Sequence, residues 1–349
     1  MKTILPGQTI GIIGGGQLGR MLAMSAKEMG YKIAILDPSA DCCARRFADE
    51  FIQADFDNAA QIEHLCQISD VVTFEFENVD SDVLADLEQR YNIVQSAKLL
   101  RTAQHRLYEK EFARSLGIPT VDYIYVDADT SQVQFEGTYL MKTVRFGYDG
   151  KGQQKISRPT QVEPFTLLEQ LIPLDKEISV VAVKDRAGIQ IVAVVENEHR
   201  NNILYRSIVP TTATPEQEQQ AIDYTQRILA NADYYGVLTV EFFISNGQVI
   251  FNEIAPRVHN SGHITMQSAN KSQFRAHIEA ICGLLVGKIE NRPATLYNLL
   301  GQDLPRSLEL IAQRDDAYLH LYEKAPRENR KIGHINFYGH ITLEESNNE

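Results

Sequence analysis

The chain has 349 residues, of which 44% are apolar and 23% are charged, and this size and composition predict two or three globular domains. Its formal net charge of -12 argues against nucleic acid or an anionic membrane as the main partner. No apolar run approaches the roughly 18 residues of a membrane span, no signal-peptide pattern is visible, and the four cysteines lack CxxC spacing, so we expect free thiols in the cytosol.

The first predicted unit is a strand, a glycine turn, a helix and a second strand. Strand Thr9–Ile13 leads into Gly14–Gly19, a helix spans about Arg20–Met29, and strand Lys32–Leu36 ends at Asp37. This order matches the GxGxxG dinucleotide fingerprint. The physics is less specific, because glycines and a helix N-terminus favour any phosphate. A dinucleotide and a sugar phosphate both remain possible ligands of this turn.

The next predicted strands are Glu50–Ala54 and Val71–Glu77, and one helix is predicted over Leu99–Leu116. Ligands of open α/β sheets bind at the carboxyl ends of the strands. Glu75 and Glu77 lie at such an end, so they are candidate ligand contacts. A polar strand end without function explains either of them equally well.

A second glycine-rich loop, Arg145–Gly152, follows the predicted strand Tyr139–Lys142. Three glycines and three charged residues in eight positions are typical of a loop that closes over phosphates. A plain hairpin turn is the alternative. Two acids, Glu169 and Glu177, follow on apolar strands and are further candidates.

A hairpin with one acid on each strand is the centre of the prediction. Asn246-Gly247 joins two apolar runs, which is a strong hairpin signal, and the runs carry Glu241 and Glu253. A two-residue turn sets Glu241 opposite Asn252, whereas a three-residue turn sets it opposite Glu253. Paired carboxylates need a shared cation, so the second register predicts a magnesium–nucleotide site. Two acids on a hydrated sheet face are the alternative.

Two polar clusters follow the hairpin. Donors are concentrated in a short segment that comprises Arg257, His259, Asn260, Ser261 and His263. A later basic cluster comprises Lys324, Arg327, Arg330 and Lys331. The first predicts a ligand-binding loop, and the second either binds a substrate phosphate or is a solvated surface run.

Three segments carry a resemblance to a known family: GIIGGGQLGRM (Gly11–Met21), FGYDGKGQ (Phe146–Gln153) and VEFFISNGQVIFNEIAPRVHNSGH (Val240–His263). They resemble the bacterial 5-(carboxyamino)imidazole ribonucleotide synthetases, ATP-grasp enzymes of purine biosynthesis, over nearly the whole chain. The resemblance implies a mixed α/β and α+β architecture. This is the ATP-grasp fold with an N-terminal Rossmann-like parallel sheet domain and a small C-terminal β-rich domain. The implied domains are 1–103, 104–291 with a lid at about 118–168, and 292–349.

The resemblance also implies a ligase that carboxylates 5-aminoimidazole ribonucleotide with bicarbonate and ATP. The products are N5-carboxyaminoimidazole ribonucleotide, ADP and phosphate, and carboxyphosphate is the intermediate. Mg²⁺ is the implied metal, the other partners are small molecules, and a cytoplasmic homodimer is the implied form.

Site roles follow from the same resemblance. Glu241 and Glu253 are the implied metal ligands. The implied nucleotide contacts are Arg106, Lys142, Gly147, Tyr148, Asp149, Gly150, Lys151, Gly152, Glu169, Glu177, His199, Asn252 and Glu253. The implied ribonucleotide contacts are Gln17, Leu18, Glu75, Tyr148, Asn260, Ser261, Lys324, Arg330 and Lys331. The implied catalytic residues are Asp149, Arg257, His259 and Lys324.

Three rival functions remain open from the sequence. They are another ATP-grasp carboxylate–amine ligase, a nicotinamide-dependent dehydrogenase, and a nucleotide-binding regulatory module. A dehydrogenase has no use for Glu241, Glu253 or the second glycine loop. A regulatory module does not need the donors between Arg257 and His263.

Overall fold

The computed structural model describes residues 2–128, 133, 135–145, 152–157 and 162–343. The strands of this part are β1 (Thr9–Ile13), β2 (Lys32–Asp37), β3 (Glu50–Gln53), β4 (Val71–Phe74), β5 (Tyr123–Val126), β6 (Tyr139–Thr143), β7 (Gln153–Ile156), β8 (Thr166–Gln170), β9 (Lys176–Asp185), β10 (Gly188–Arg200), β11 (Ile203–Val209), β12 (Gly236–Ser245), β13 (Gln248–Ala255), β14 (Ala294–Leu300), β15 (Ala317–Leu321) and β16 (Lys331–Tyr338). The α-helices are α1 (Gln17–Glu28), α2 (Ala59–Gln67), α3 (Ser81–Leu87), α4 (Ala97–Ala103), α5 (Arg106–Ser115), α6 (Pro215–Ala230), α7 (Thr265–Ser268), α8 (Gln273–Ile281) and α9 (Leu304–Gln313).

The N-terminal sheet is parallel, with the order β3-β2-β1-β4 among the described strands. Its central strands are apolar on both faces, as in sheets that helices cover on each side. Ile10 and Ile12 of β1 pack in one core with α1, whereas Ile13 packs on the opposite face with α2 and α3. Glu75 directly follows β4, so it lies at the carboxyl edge of this sheet, as the sequence predicts.

The helix predicted over Leu99–Leu116 is wrong as a single element. The chain breaks at Gln104 and His105 into α4 and α5. The Gln104 side chain donates to the carbonyls of Glu77 and Val79, and the Arg106 N–H donates to the Val144 carbonyl. These long-range bonds replace helical ones, and they turn the first residues of α5 toward the lid sheet.

The central sheet has the order β13-β12-β9-β10-β11-β14-β16-β15 among the described strands. Strand β9 is buried on both faces, because Val181 and Val183 pack with α8 while Ile178 and Val180 pack with α6. The C-terminal strands β14, β15 and β16 extend this sheet. Strand β13 forms its edge next to α5.

The lid sheet is antiparallel, with the order β5-β8-β6-β7 in the described residues. Leu140 of β6 lies opposite Glu169 of β8, and Lys142 lies opposite Leu167. Lys142 and Glu169 are therefore diagonal neighbours on one face, where long side chains reach each other. No described helix combines the length and apolar character of a membrane span. All four cysteines are unbridged, as predicted.

Candidate active site

A cleft of about 860 Å³ opens between the carboxyl edge of the N-terminal sheet, the lid sheet and the β12–β13 hairpin. The predicted site residues that line it are Gln17, Leu18, Glu75, Arg106, Lys142, Glu169, Glu177, His199, Glu241, Asn252, Glu253, Arg257, His259, Asn260 and Lys331. The predicted residues that lie outside this lining are Gly152, Ser261, Lys324 and Arg330. The fold thus brings most of the proposed site to one concavity.

The two hairpin acids face each other, but the turn is not the one that the sequence favoured for this pairing. Ser245 lies opposite Gln248, and the turn residues Asn246 and Gly247 have φ values of 49° and 78°. This is a two-residue turn with both residues in the left-handed region. The three-residue turn is therefore wrong.

A β-bulge restores the pairing. Phe242 lies opposite Phe251, and the next pair along the ladder is Glu241 with Glu253, so Asn252 is the extra residue of β13. A bulge places two residues of one strand against one residue of its partner. The bulge shifts the register by one position, and this shift sets the second acid against the first.

The basic side chains of Arg106, His199 and His259 lie beside the acid pair. Burial and the neighbouring Glu253 raise the pKa of Glu241 to about 8. Arg106 Nη1 lies 3.6 Å from Glu253 Oε2, and His259 Nε2 lies 3.4 Å from Glu241 Oε1. Burial also lowers the pKa of His259 well below its ordinary value, so its imidazole is neutral there.

This donor set fits a hard divalent cation. Mg²⁺ is usually bound by one or two carboxylates together with substrate phosphates. No group of three or more His, Cys, Asp or Glu side chains in the described ranges is arranged to hold a metal without substrate. The carboxylates of Glu241 and Glu253 therefore match the partial site that a metal–nucleotide complex needs.

Lys142 is held by a buried ion triad that joins the lid sheet to α5. Its Nζ lies 2.6 Å from Glu169 Oε2, and Lys110 Nζ lies 3.0 Å from Glu169 Oε1. Burial by itself would raise the pKa of Glu169, but the two lysines outweigh it and lower that pKa to about 2. Glu169 is therefore a carboxylate that fixes Lys142 at the cleft wall.

The sequence interpretation missed Lys110 and Glu109. Both are buried on α5, and Glu109 lines the cleft beside Arg106. Glu109 Oε1 accepts the Ile254 N–H at 2.9 Å. Burial and the neighbouring Glu253 raise the pKa of Glu109 well above its ordinary value. The spacing i, i+3, i+4 from Arg106 to Glu109 and Lys110 places all three on one helix face. This spacing is the sequence feature from which Glu109 and Lys110 could have been predicted as neighbours of the site.

A carboxylate–imidazole pair lies on the opposite wall. Glu177 on β9 and Asn197 on β10 are paired across the ladder, and His199 follows two residues later. His199 Nδ1 lies 2.7 Å from Glu177 Oε2. Burial opposes protonation, but the hydrogen bond that His199 donates to Glu177 raises the pKa of His199 above its ordinary value.

The N-terminal glycine turn is occupied by the protein's own acids. The Gly15 N–H donates to Asp37 Oδ2 and the Gly16 N–H donates to Glu75 Oε1, each at 2.7 Å. Asp37 is thereby fully engaged in the turn, whereas a dinucleotide site needs that acid for the ribose. Burial raises the pKa of Glu75, and the Gly16 N–H partly offsets this rise.

The C-terminal region reaches this turn through Lys324. Its Nζ donates to Gln17 Oε1 at 2.8 Å, and Gln17 Nε2 donates to Asn260 Oδ1 at 3.3 Å. Lys331 lines the cleft, whereas Arg330 is exposed and donates to the Ala325 carbonyl. Lys331 therefore lines the cleft itself, Lys324 reaches it through Gln17, and Arg330 lies outside its lining.

The polar residues of the segment Arg257–His263, which follows the hairpin, have different surroundings. Arg257 Nη2 lies 3.0 Å from Glu77 Oε1. Ser261 is buried, and its Oγ lies 2.9 Å from His259 Nδ1, so it contacts the site through the imidazole. His263 is buried in a stack with His334, with ring centres 4.7 Å apart, and does not line the cleft.

The second glycine loop falls largely outside the described residues. The predictions for Gly147, Tyr148, Asp149, Gly150 and Lys151 concern that part. Gly152 is described, with a φ of 72°, and its carbonyl accepts the Thr143 N–H at 3.0 Å.

Three family domains match the chain in order. Residues 7–104 match the ribonucleotide synthetase preATP-grasp domain, residues 111–274 match the ATP-grasp domain, and residues 294–348 match the phosphoribosylaminoimidazole carboxylase C-terminal domain. The cleft described above lies where residues of all three contribute.

Individual relatives agree with this assignment. The N5-carboxyaminoimidazole ribonucleotide synthase of Staphylococcus aureus strain COL is 41% identical over 346 residues, with 94% of this chain and 92% of that protein covered. The crystal structure of an N5-carboxyaminoimidazole synthetase from S. aureus complexed with ADP superimposes with a TM-score of 0.89, at 36% identity and with 97% and 95% of the two chains covered. The Aspergillus clavatus N5-carboxyaminoimidazole synthase in complex with ADP and 5-aminoimidazole ribonucleotide gives a TM-score of 0.85 at 25% identity, with 96% and 95% covered. The chain therefore belongs to the N5-carboxyaminoimidazole ribonucleotide synthase family of ATP-grasp enzymes.

Proposed function

We propose that the chain carboxylates 5-aminoimidazole ribonucleotide with bicarbonate at the expense of ATP. The observation that carries this proposal is the facing pair Glu241 and Glu253 in a cleft that Lys142 and Arg257 also line. Carboxylates for a metal and cations for phosphate oxygens are what phosphoryl transfer requires. Relatives named for this reaction have been crystallised with ADP and with the ribonucleotide.

We assign the nucleotide to the side of the cleft formed by the lid sheet and the hairpin. Lys142, fixed by Glu169, contacts phosphate oxygens, and Arg106 lies beside Glu253 to do the same. Glu177 accepts hydrogen bonds from the ribose hydroxyls, and His199 holds its carboxylate in place. When Mg²⁺ is bound, Glu241 and Glu253 hold it and it neutralises charge on the triphosphate.

The chemistry has two balanced steps. A bicarbonate oxygen forms a bond to the γ-phosphorus, the bond to the β-phosphate oxygen breaks, and ADP leaves. The amine nitrogen then forms a bond to the carbon of carboxyphosphate, phosphate leaves, and the amine loses a proton. Arg257 stabilises the oxygens that carry charge in both steps, because a guanidinium binds carboxylate and phosphate oxygens in pairs. Asp149 is the proposed base or orienting group for the amine.

The ribonucleotide is assigned to the side of the cleft formed by the first glycine turn. Gln17, Asn260 and Lys324 form one hydrogen-bonded chain there, and Lys331 adds a second positive charge. Two cations and amide groups suit a sugar phosphate. The family resemblance also supports a homodimer acting in the cytosol, which light scattering on the purified protein tests.

A phosphate-release assay tests the function. We expect release with ATP and bicarbonate to depend on added 5-aminoimidazole ribonucleotide, and we expect no oxidation of NADH under the same conditions. Phosphate release that does not depend on the ribonucleotide would indicate a different ATP-grasp ligase. Turnover of a nicotinamide cofactor would replace the proposal with a dehydrogenase.

A further inference from the structure

Strand β13 is the edge of the central sheet in the described chain, and it packs against α5 and the segment before β5. The outward N–H groups of an edge strand have no strand partner, so buried ones must find acceptors elsewhere. Two of them do so. The Phe251 N–H donates to the Pro119 carbonyl at 2.8 Å, and the Ile254 N–H donates to Glu109 Oε1 at 2.9 Å.

The spacing of these two outward groups is the informative feature. In a regular strand the N–H groups that point outward are two residues apart. Phe251 and Ile254 are three apart, because the bulge at Asn252 lies between them. Glu109 Oε1 therefore accepts an N–H that points toward α5 in the bulged register, and Glu109 is only 4% exposed.

We propose that Glu109 is a positioning residue that holds β13 in the bulged register and so sets Glu253 opposite Glu241. Without the bulge, the two-residue turn at Asn246-Gly247 places Asn252 opposite Glu241, and Glu253 turns to the other face of the sheet. The stabilising contact comes from α5, outside the hairpin. The inference rests on the proposed metal-binding role of the acid pair, which it deepens by naming the residue that assembles the pair.

Two substitutions separate the hydrogen bond from the ionisable carboxyl group of Glu109. Glu109→Gln keeps an oxygen at the same reach and removes the ionisable carboxyl group, whereas Glu109→Leu keeps the approximate volume and removes the acceptor. The measured quantity is the ratio of ADP affinities with Mg²⁺ and with EDTA, from isothermal titration calorimetry. Glu253→Gln serves as the reference for loss of a metal ligand.

We expect Glu109→Gln to keep the Mg²⁺-dependent ratio within about threefold of the parent protein, and Glu109→Leu to lower it by about tenfold or more, toward the value for Glu253→Gln. In the Glu253→Gln background, Glu109→Leu should lower the ratio no further, because both changes remove the same contact. A purely structural role for Glu109 would lower the melting temperature and leave the ratio unchanged.

Hydrogen exchange of segment 249–255 gives a readout that does not depend on metal. Exchange should accelerate in Glu109→Leu and stay at the parent rate in Glu109→Gln. If Glu253→Gln leaves the Mg²⁺ ratio unchanged while Glu109→Leu accelerates exchange, the metal role of the acids fails and the positioning role stands. A parent-like ratio and exchange rate in Glu109→Leu would overturn the positioning role.

Glu109→Gln and Glu109→Asp decide the matter if the leucine variant does not fold. Glu109→Asp keeps the carboxyl group, but its side chain is one methylene too short to reach the Ile254 N–H. The Mg²⁺-dependent ratio of ADP affinities should therefore fall in Glu109→Asp and stay near the parent value in Glu109→Gln. A parent-like ratio in Glu109→Asp together with a lowered ratio in Glu109→Gln would show that the carboxyl group itself is needed, and it would overturn the proposal.

Discussion

Arg257 Nη2 lies 3.0 Å from Glu77 Oε1, so a residue that follows the edge hairpin is held by one that follows β4 of the N-terminal sheet. Their side chains are 15% and 30% exposed at the cleft wall. The ion pair orients the guanidinium before substrate arrives. Pre-oriented donors cost little reorganisation at the moment of reaction, which is why they stabilise developing charge effectively.

Arg257→Met should therefore lower ribonucleotide-dependent phosphate release by roughly 10²- to 10³-fold, the usual loss on removing one oriented donor. ADP affinity should stay within about threefold, because Arg257 is assigned to the transferred group and not to ADP. Steady-state kinetics and calorimetry measure the two quantities. Arg186→Met, at an exposed turn, is the matched control. A variant that loses ADP affinity as strongly as turnover would contradict the assignment.

Glu253→Gln should abolish turnover while leaving the fold intact. The amide removes one of the two facing carboxylates but keeps the size of the side chain. We expect kcat/KM to fall by roughly 10³-fold or more, because the variant no longer holds the metal ion that neutralises charge in the transition state. Circular dichroism and the phosphate assay measure fold and activity. Glu309→Gln on the exposed face of α9 should retain full activity. Retained turnover in Glu253→Gln would exclude metal ligation there.

Lys110→Met should destabilise the protein, because it leaves the buried Glu169 with only one of its two cations. Breaking a buried ion pair by removing one partner costs about 3–5 kcal/mol. Urea denaturation measures this loss. KM for ATP should also rise, because Glu169 loses the Lys110 contact that fixes it and then holds Lys142 less rigidly. The loss should shrink in a Glu169→Gln background, where no buried charge remains unpaired. Equal losses in both backgrounds would show that Lys110 acts by packing alone.

His277 should make stability depend on pH. Burial lowers its pKa to about 3, and the Val237 N–H donates to Nδ1 at 3.0 Å, so the ring is neutral with its proton on Nε2 toward Thr73. A folded-state pKa below the unfolded value of 6.5 gives stability that is complete above pH 6.5 and is lost as the pH falls toward 3. At pH 5 the loss from this one residue is about 2 kcal/mol.

The control for that pH effect is His277→Gln, which can accept and donate at the same two positions but does not titrate. We expect its free energy of unfolding to change less between pH 7 and pH 5 than that of the parent, by about 2 kcal/mol. Urea denaturation at the two pH values measures the difference. The same pH dependence in both proteins would mean that His277 is not the group responsible.

Lys324→Met should raise KM for the ribonucleotide by roughly 10- to 100-fold and leave KM for ATP unchanged, because Lys324 bonds Gln17 on the glycine-turn side of the cleft. Arg330→Met is the matched control, since Arg330 is exposed and donates to the Ala325 carbonyl, whereas Lys324 donates to Gln17 of the cleft lining. The two variants should differ clearly in initial-rate kinetics. An equal rise in KM for both would support the predicted ribonucleotide contact of Arg330 and contradict the separate role of Lys324.

Local patterns in the sequence were sufficient for much of the fold. The apolar strand β1 with its glycine turn, the Asn246-Gly247 hairpin and the acids Glu241 and Glu253 are all visible in a few consecutive residues. Periodicity and turn chemistry are short-range properties, so they can be inferred without knowing which segments meet. The prediction of a single helix over Leu99–Leu116 was wrong because long-range hydrogen bonds interrupt it. Gln104 bonds to Glu77 where α4 ends, and Arg106 bonds to Val144 where α5 begins.

The sequence by itself determined which chemical groups the site contains and, through the family segments, which reaction they serve. Only the tertiary structure decided how those groups are paired. The register of Glu253 depends on a bulge that Glu109 contacts from another element, the charge on Glu169 depends on Lys110, and the glycine turn is occupied by Asp37. Each of these is a contact between segments distant in the chain, and the energy of such a contact depends on burial and geometry that no local pattern contains.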